Sequence, residues 1–154
     1  MARRPNNRSR GSDTIVFYKN IMIIFMLIIP FQLEARQSAP EVIEDATIVD
    51  TEEFIELFDK YTNVVVIDSR LSSDRKQGYI EGSINLPDVL TDCNKLSSLV
   101  KVKQTPVVFY CNGEDCLRSS KAIKIAISCG YKNIYWLRGG FQEWLLKGYP
   151  YLRE

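Results

Sequence analysis

The sequence predicts an α/β protein built on a parallel sheet, and three observations predict it. Val64-Val65-Val66-Ile67-Asp68 is an unbroken apolar run, the mark of a strand buried on both faces. Pro106-Val107-Val108-Phe109-Tyr110 is a second such run, and it leads through a loop into a helical stretch that ends at Gly130. Strand-like runs also alternate with helix-like patterns along the chain, which calls for crossover connections. In such sheets ligands bind at the carboxyl ends of strands, and Cys111 falls at one.

The elements follow in order. Residues 37–46 read as a polar, proline-bearing linker, and 47–154 as the folded domain. Ala46-Thr47-Ile48-Val49 is a short strand. Asp50 caps the next helix, with Glu53 placed to reach back in a capping box, and Phe54, Ile55, Leu57 and Phe58 form its apolar face. After the Val64–Asp68 strand, Ser72 to Gly78 is a polar loop. Gly82 to Pro87 holds a short strand stopped by proline. Leu90 to Val102 is expected to be helical. The cysteine strand, loop and helix come next. Asn133-Ile134-Tyr135-Trp136 forms the last strand, Gly139-Gly140 a turn, and Phe141 to Leu146 the closing helix.

The chain has 154 residues, enough for one domain. Apolar residues make up 45% and charged residues 25%, as in ordinary globular proteins. Residues 1–35 carry five basic and two acidic side chains, a net of +3; with +1 for the whole chain, the remainder is −2. That remainder lacks the clustered basic face of a nucleic-acid binder. The basic segment precedes an apolar run from Ile21 to Leu33, shorter than the roughly 20 residues of a membrane span. It fits the apolar stretch of a secretory signal. Residues 1–36 are therefore expected to be a signal peptide, or an uncleaved anchor touching the inner membrane, and the protein to be periplasmic or otherwise outside the cytoplasm. Disulfides persist there, so Cys93, Cys111, Cys116 and Cys129 allow two bridges in three connectivities. Histidine is absent, and the cysteine spacings do not form zinc knuckles, so no metal site is expected. Cys93 reads as a surface or loop thiol and Cys129 as a packed helix residue.

The segment Cys111-Asn112-Gly113-Glu114-Asp115-Cys116-Leu117-Arg118 carries the chemistry. Backbone N–H groups converge where a loop curls into a helix start, and the helix dipole favours negative charge there. A cysteine held at that point is more thiolate than a free one. Arg118 adds a fixed positive charge, either to bind a ligand or to pin the loop to Asp68 or another acid. Gly113 supplies conformational freedom for the turn. Cys116, five positions after Cys111, reads either as a resolving cysteine that bonds back to it or as a small buried residue. Tyr110, Tyr135, Trp136 and Trp144 read as core aromatics.

Four pieces together resemble one family. Val64 to Arg70 resembles the Asp-x-Arg strand end of rhodanese domains, here Asp68 and Arg70. Gly78-Tyr79-Ile80-Glu81-Gly82-Ser83-Ile84-Asn85-Leu86-Pro87 resembles their Gly-His-Ile-x-Gly-Ala-x-Asn-x-Pro signature, with Tyr79 in the place of a histidine read as structural. Gly130 to Trp144 resembles their closing Gly-Gly-x-x-x-Trp segment. The cysteine loop lies between the last two. It is a longer, two-cysteine variant: six residues separate Cys111 from Arg118, against four in the familiar loop.

The resemblance implies a five-stranded parallel sheet flanked by helices on both faces. It implies either sulfane-sulfur transfer through a cysteine persulfide or a non-catalytic binding module. It assigns Cys111 as the nucleophile, Asn112 to Arg118 as the substrate-binding loop, and Asp68 and Arg70 as framework. The donor is expected to be a small sulfur compound or a protein persulfide, and the acceptor a thiol, cyanide or sulfite. No cofactor is needed, and a monomer is expected. Glu114 and Asp115 would repel a dianion such as thiosulfate. The rival readings are a thiol–disulfide protein using Cys111 and Cys116 and, ranked last, a phosphatase.

Overall fold

Residues 38–154 are described by the structure, a computed structural model. The expected leader, 1–36, lies outside them. Strand β1 (Thr47–Val49) precedes helix α1 (Thr51–Lys60), then come β2 (Val65–Asp68), a one-turn helix α2 (Ser72–Arg75), and β3 (Ile84–Asn85). A 3₁₀ turn at Asp88–Leu90 leads to α3 (Cys93–Leu99), β4 (Val107–Tyr110), α4 (Leu117–Ser128), β5 (Ile134–Leu137) and α5 (Gly140–Leu146). The five strands form one all-parallel sheet in the order β1-β5-β4-β2-β3. β4 runs between β2 and β5, with Phe109 beside Ile67 on one side and Trp136 on the other.

Strand periodicity sorts the core into two halves. Ile67, Val107, Phe109, Ile134 and Trp136 point to one face, where α3 and α4 bring Leu96, Ala122, Ile123 and Ala126. Val66, Val108, Tyr110 and Leu137 point to the other, under Phe54 and Leu57 of α1 and Phe141 and Trp144 of α5. Successive strand side chains alternate faces, so an unbroken apolar run is what a doubly covered strand requires. Phe109 is fully buried, and truncating such a residue to alanine costs about 3–5 kcal/mol.

α1 begins as the sequence predicts: Asp50 accepts from Glu53 N at 2.8 Å, and the Glu53 carboxylate accepts from Asp50 N at 2.9 Å. Elsewhere the elements are shorter. The helix expected over Leu90 to Val102 is confined to Cys93–Leu99. Asp92 caps it by accepting from Lys95 N at 2.7 Å, and Val100 is already extended. The Val100 carbonyl is taken by the Tyr131 hydroxyl at 2.7 Å. The Ser72 to Gly78 loop contains the single turn α2. In the segment expected as a linker, Ala39 and Ile43 are buried against the first core half, so it clasps the sheet rather than leading up to it. No helix among the described residues is long and apolar enough to cross a membrane.

Candidate active site

β4 carries Cys111 to the carboxyl edge of the sheet, and α5 fixes it there. The Cys111 and Asn112 carbonyls accept from Phe141 N and Gln142 N, each at 2.8 Å. The first turn of α5 thus spends its unpaired N–H donors on the cysteine loop. Gly140 makes that approach possible. Its φ is +61°, and a Cβ there would stand 2.5 Å from the Cys111 carbonyl oxygen. Gly113 also makes room, since a Cβ there would meet Gln142 Oε1 at 2.6 Å. Its φ is not in the positive region occupied by Gly140, so its value lies in space rather than in the turn conformation expected from the sequence.

The loop is closed on itself. Cys111 Sγ is bonded to Cys116 Sγ, with Cα atoms 6.1 Å apart. Cys111 is only 1% exposed, while Cys116 is half-buried. Cys116, not Cys111, occupies the N-cap position of α4, and Arg118 Nη1 approaches Cys116 Sγ at 3.9 Å. The favourable electrostatics expected at Cys111 therefore bear on its partner Cys116. The disulfide joins Cys116 to Cys111, the pairing that a resolving role would use.

Arg118 pins the loop. Its guanidinium lies 3.8 Å from Asp88 and 4.0 Å from Asp74; Asp68, the acid named from sequence, is not its partner. Asp74 also accepts from Asn112 Nδ2 at 3.3 Å. Leu117 opens α4 and packs against the first core half. Glu114 is an exposed side chain paired with Arg138 at 3.3 Å, and Asp115 is exposed. A cavity of about 580 Å³ is lined by Glu114, Asp115, Cys116, Gln142, Glu143 and Leu146, together with Asn112, Gly113 and Gly139. A second, of about 390 Å³, opens on the other side of Asn112 between Arg70, Asp74, Phe141 and Tyr151.

Asp68 and Arg70 stand below the loop as a buried pair. Asp68 Oδ1 accepts from Arg70 N at 3.0 Å and Nε at 2.9 Å; Oδ2 accepts from Arg70 Nη2 and the Tyr110 hydroxyl, both at 2.8 Å. Burial works against the Arg70 charge, but the Asp68 hydrogen bonds and its negative charge outweigh it and raise the guanidinium above its ordinary range. Burial, reinforced by the Asp68 charge, also raises the Tyr110 phenol. Arg70 Nη2 further donates to the Gly78 carbonyl at 2.7 Å, tying β2 to the following loop. Tyr79 lies under the Arg75 guanidinium at 3.5 Å, and its backbone pairs with Leu152.

Sequence reasoning missed four contributors. Asp74 and Asp88 carry no local signal, because their partner Arg118 is distant in the chain. Gly140 and Gln142 looked like turn and helix residues, and their proximity to Cys111 appears only once β4 and β5 lie side by side. Cys93 is also corrected. It is not a lone surface thiol but is bonded to Cys129, with Cα atoms 5.4 Å apart. The bridge ties α3 to the end of α4.

Chemically, the site offers one sulfur seated under a loop, a second sulfur bonded to it and an adjacent cation. That set suits sulfur exchange. The sequence matches the Rhodanese-like domain family over residues 50–147, well over half of the chain, and the chain belongs to this sulfurtransferase-type family. It is 34% identical over 98 residues to a rhodanese domain-containing protein of Drosophila melanogaster, covering 56% of this chain and 86% of that one. It is 31% identical over 87 residues to an HTH-type transcriptional regulator of Mycobacterium tuberculosis, covering 56% of this chain but spanning only 37% of the regulator's length. The crystal structure of a thiosulfate sulfurtransferase from Pseudomonas aeruginosa superposes with a TM-score of 0.56 at 24% identity, over 70% of this chain and 20% of that one. That likeness shows the fold.

Proposed function

We propose that this protein is a sulfurtransferase that carries a sulfane sulfur on Cys111. The observation that supports it most is the placing of Cys111 at the carboxyl end of β4, with its carbonyl and that of Asn112 held by α5. This orients the loop from Asn112 onward around the sulfur. The Cys111 thiolate attacks the outer sulfur of the donor; the donor's remaining fragment leaves with the bonding electrons, and Cys111 bears a persulfide. The loop's N–H groups stabilise its terminal anion, and an acceptor thiol, cyanide or sulfite takes that sulfur. Cys111 does this only as a free thiolate, so the bond to Cys116 must first be opened by a reductant.

The donor is a neutral or protein-borne persulfide in preference to thiosulfate. Asp115 lines the cavity without a cationic partner among the ion pairs of the described residues, although Arg138 answers the Glu114 charge and lowers the repulsion. The site works outside the cytoplasm. The Cys93–Cys129 bridge supports that reading, because disulfides persist in oxidising compartments.

Treating the reduced full chain with a persulfide donor and mapping the added sulfur tests the function. Sulfur on Cys111, lost in Cys111→Ser, is expected. A second reading, a thiol–disulfide protein, is favoured by the Cys111–Cys116 bond itself. It predicts dithiol oxidation in step with substrate reduction and no retained sulfur.

A further inference from the structure

The two sulfurs of the loop are not equivalent. Cys111 is 1% exposed and sits behind carbonyls anchored to α5. Cys116 lines the 580 Å³ cavity, and Cys111 does not. Thiol–disulfide exchange requires a thiolate to approach one sulfur in line with the bond it breaks. The two approaches come from opposite ends of the bond: toward Cys116 from the cavity side, toward Cys111 from the buried side.

We propose that Cys116 is the sulfur through which the loop is opened: an incoming thiol bonds to Cys116 Sγ, and Cys111 leaves as the thiolate. The bond formed is between the reductant's sulfur and Cys116; the bond broken is Cys111–Cys116, whose electron pair goes to Cys111. A second thiolate, from the same dithiol or another thiol, then attacks the reductant's sulfur in the mixed disulfide. It frees Cys116 as a thiolate beside Arg118. The reductant becomes a disulfide, and the loop gains two electrons.

Arg118, 3.9 Å from Cys116 Sγ, offsets part of the repulsion that Asp115 on the cavity wall exerts on an incoming thiolate. The start of α4 and Arg118 also favour Cys116 as a leaving thiolate, which by itself would direct attack to Cys111. Leaving-group ability changes the rate only gradually with thiol pKa, whereas in-line attack on Cys111 would have to come from its buried side, so access decides; once the bond opens, the side of Cys111 Sγ that faced Cys116 is the side a donor meets. The inference goes beyond the sulfur-transfer reading and survives its failure. Opening is the same whether Cys111 next takes up sulfur or remains a thiol.

The test uses the oxidised full chain and 2-mercaptoethanol. The reaction is stopped early with N-ethylmaleimide, and the protein is cleaved after lysine and arginine and after Glu114, which puts Cys111 on Gln104–Glu114 and Cys116 on Asp115–Arg118, both free of the Cys93–Cys129 bridge. Mercaptoethanol on Cys116 with maleimide on Cys111 is expected in roughly tenfold excess or more over the reverse. Equal labelling, the reverse pattern, or failure of Cys111 and Cys116 to pair under a mild oxidant overturns the proposal. Arg118→Gln is expected to slow opening by roughly three- to tenfold while mercaptoethanol still lands on Cys116. An unchanged rate removes Arg118 from the account.

Discussion

Two disulfides lie in the same small domain and act on different scales. Cys93–Cys129 spans 36 residues and fastens α3 to α4, away from both cavities; Cys111–Cys116 spans five and lies at the mouth of one. Chain-closure entropy makes the first worth about 4 kcal/mol and the second about 2 kcal/mol. The long bridge adds more to the fold, yet the short one decides whether the nucleophile exists as a thiolate. Cysteine chemistry is thus assigned by what surrounds the sulfur: a protein uses one bond as framework and the same bond, moved to a loop beside a cavity, as a switch.

The largest effect expected from breaking this contrast is at Cys111. Cys111→Ser is expected to abolish sulfur uptake and transfer, by roughly a thousandfold or more, with stability lowered only by the loss of the short bridge. Steady-state transfer and a urea melt on the same sample check both halves. Cys93→Ser is the mirror image. It is expected to cost about 4 kcal/mol and to lower the melting temperature by roughly 10–20 °C, while transfer by the folded protein stays within about twofold. A Cys93→Ser protein as stable as wild type would show that the long bridge contributes nothing.

Gly140→Ala probes the coupling between loop and scaffold. The positive φ and the 2.5 Å approach to the Cys111 carbonyl predict a loss of about 1–3 kcal/mol. Transfer is expected to fall roughly tenfold, because the loop loses its seat on α5. Single-turnover kinetics separates this from a purely global effect. The smallest effect is expected from Glu114→Lys/Asp115→Lys, a gain of about two- to fivefold with thiosulfate at low salt that fades as salt rises. Arg138 already answers one of the two charges, which limits the gain.

What was legible in the sequence follows from how local each signal is. The Val64–Asp68 and Val107–Tyr110 strands were readable because double burial demands unbroken apolar runs. The α1 start was readable because a capping box is written within four residues. The parallel sheet, its five strands and the family were likewise legible, the last two through motifs in order. Helix α3 was overextended because its end is set by the Tyr131 hydroxyl on the Val100 carbonyl, a contact from 31 residues away. Cys93 was misread for the same reason, its partner being across the α3–α4 interface. At the site, the residues of the loop were all named, but not which sulfur faces the cavity. That depends on α5 holding the loop's carbonyls, a contact between segments 30 residues apart in sequence.

The most direct test of the account is the mass of the reduced full chain after a brief exposure to a persulfide donor, read peptide by peptide. The account predicts a gain of one sulfur, about 32 Da, on the Cys111 peptide and none on the Cys93 or Cys129 peptides. The gain should be absent from Cys111→Ser and longer-lived in Cys116→Ser. An unmodified Cys111, or sulfur found only on Cys116, would contradict it.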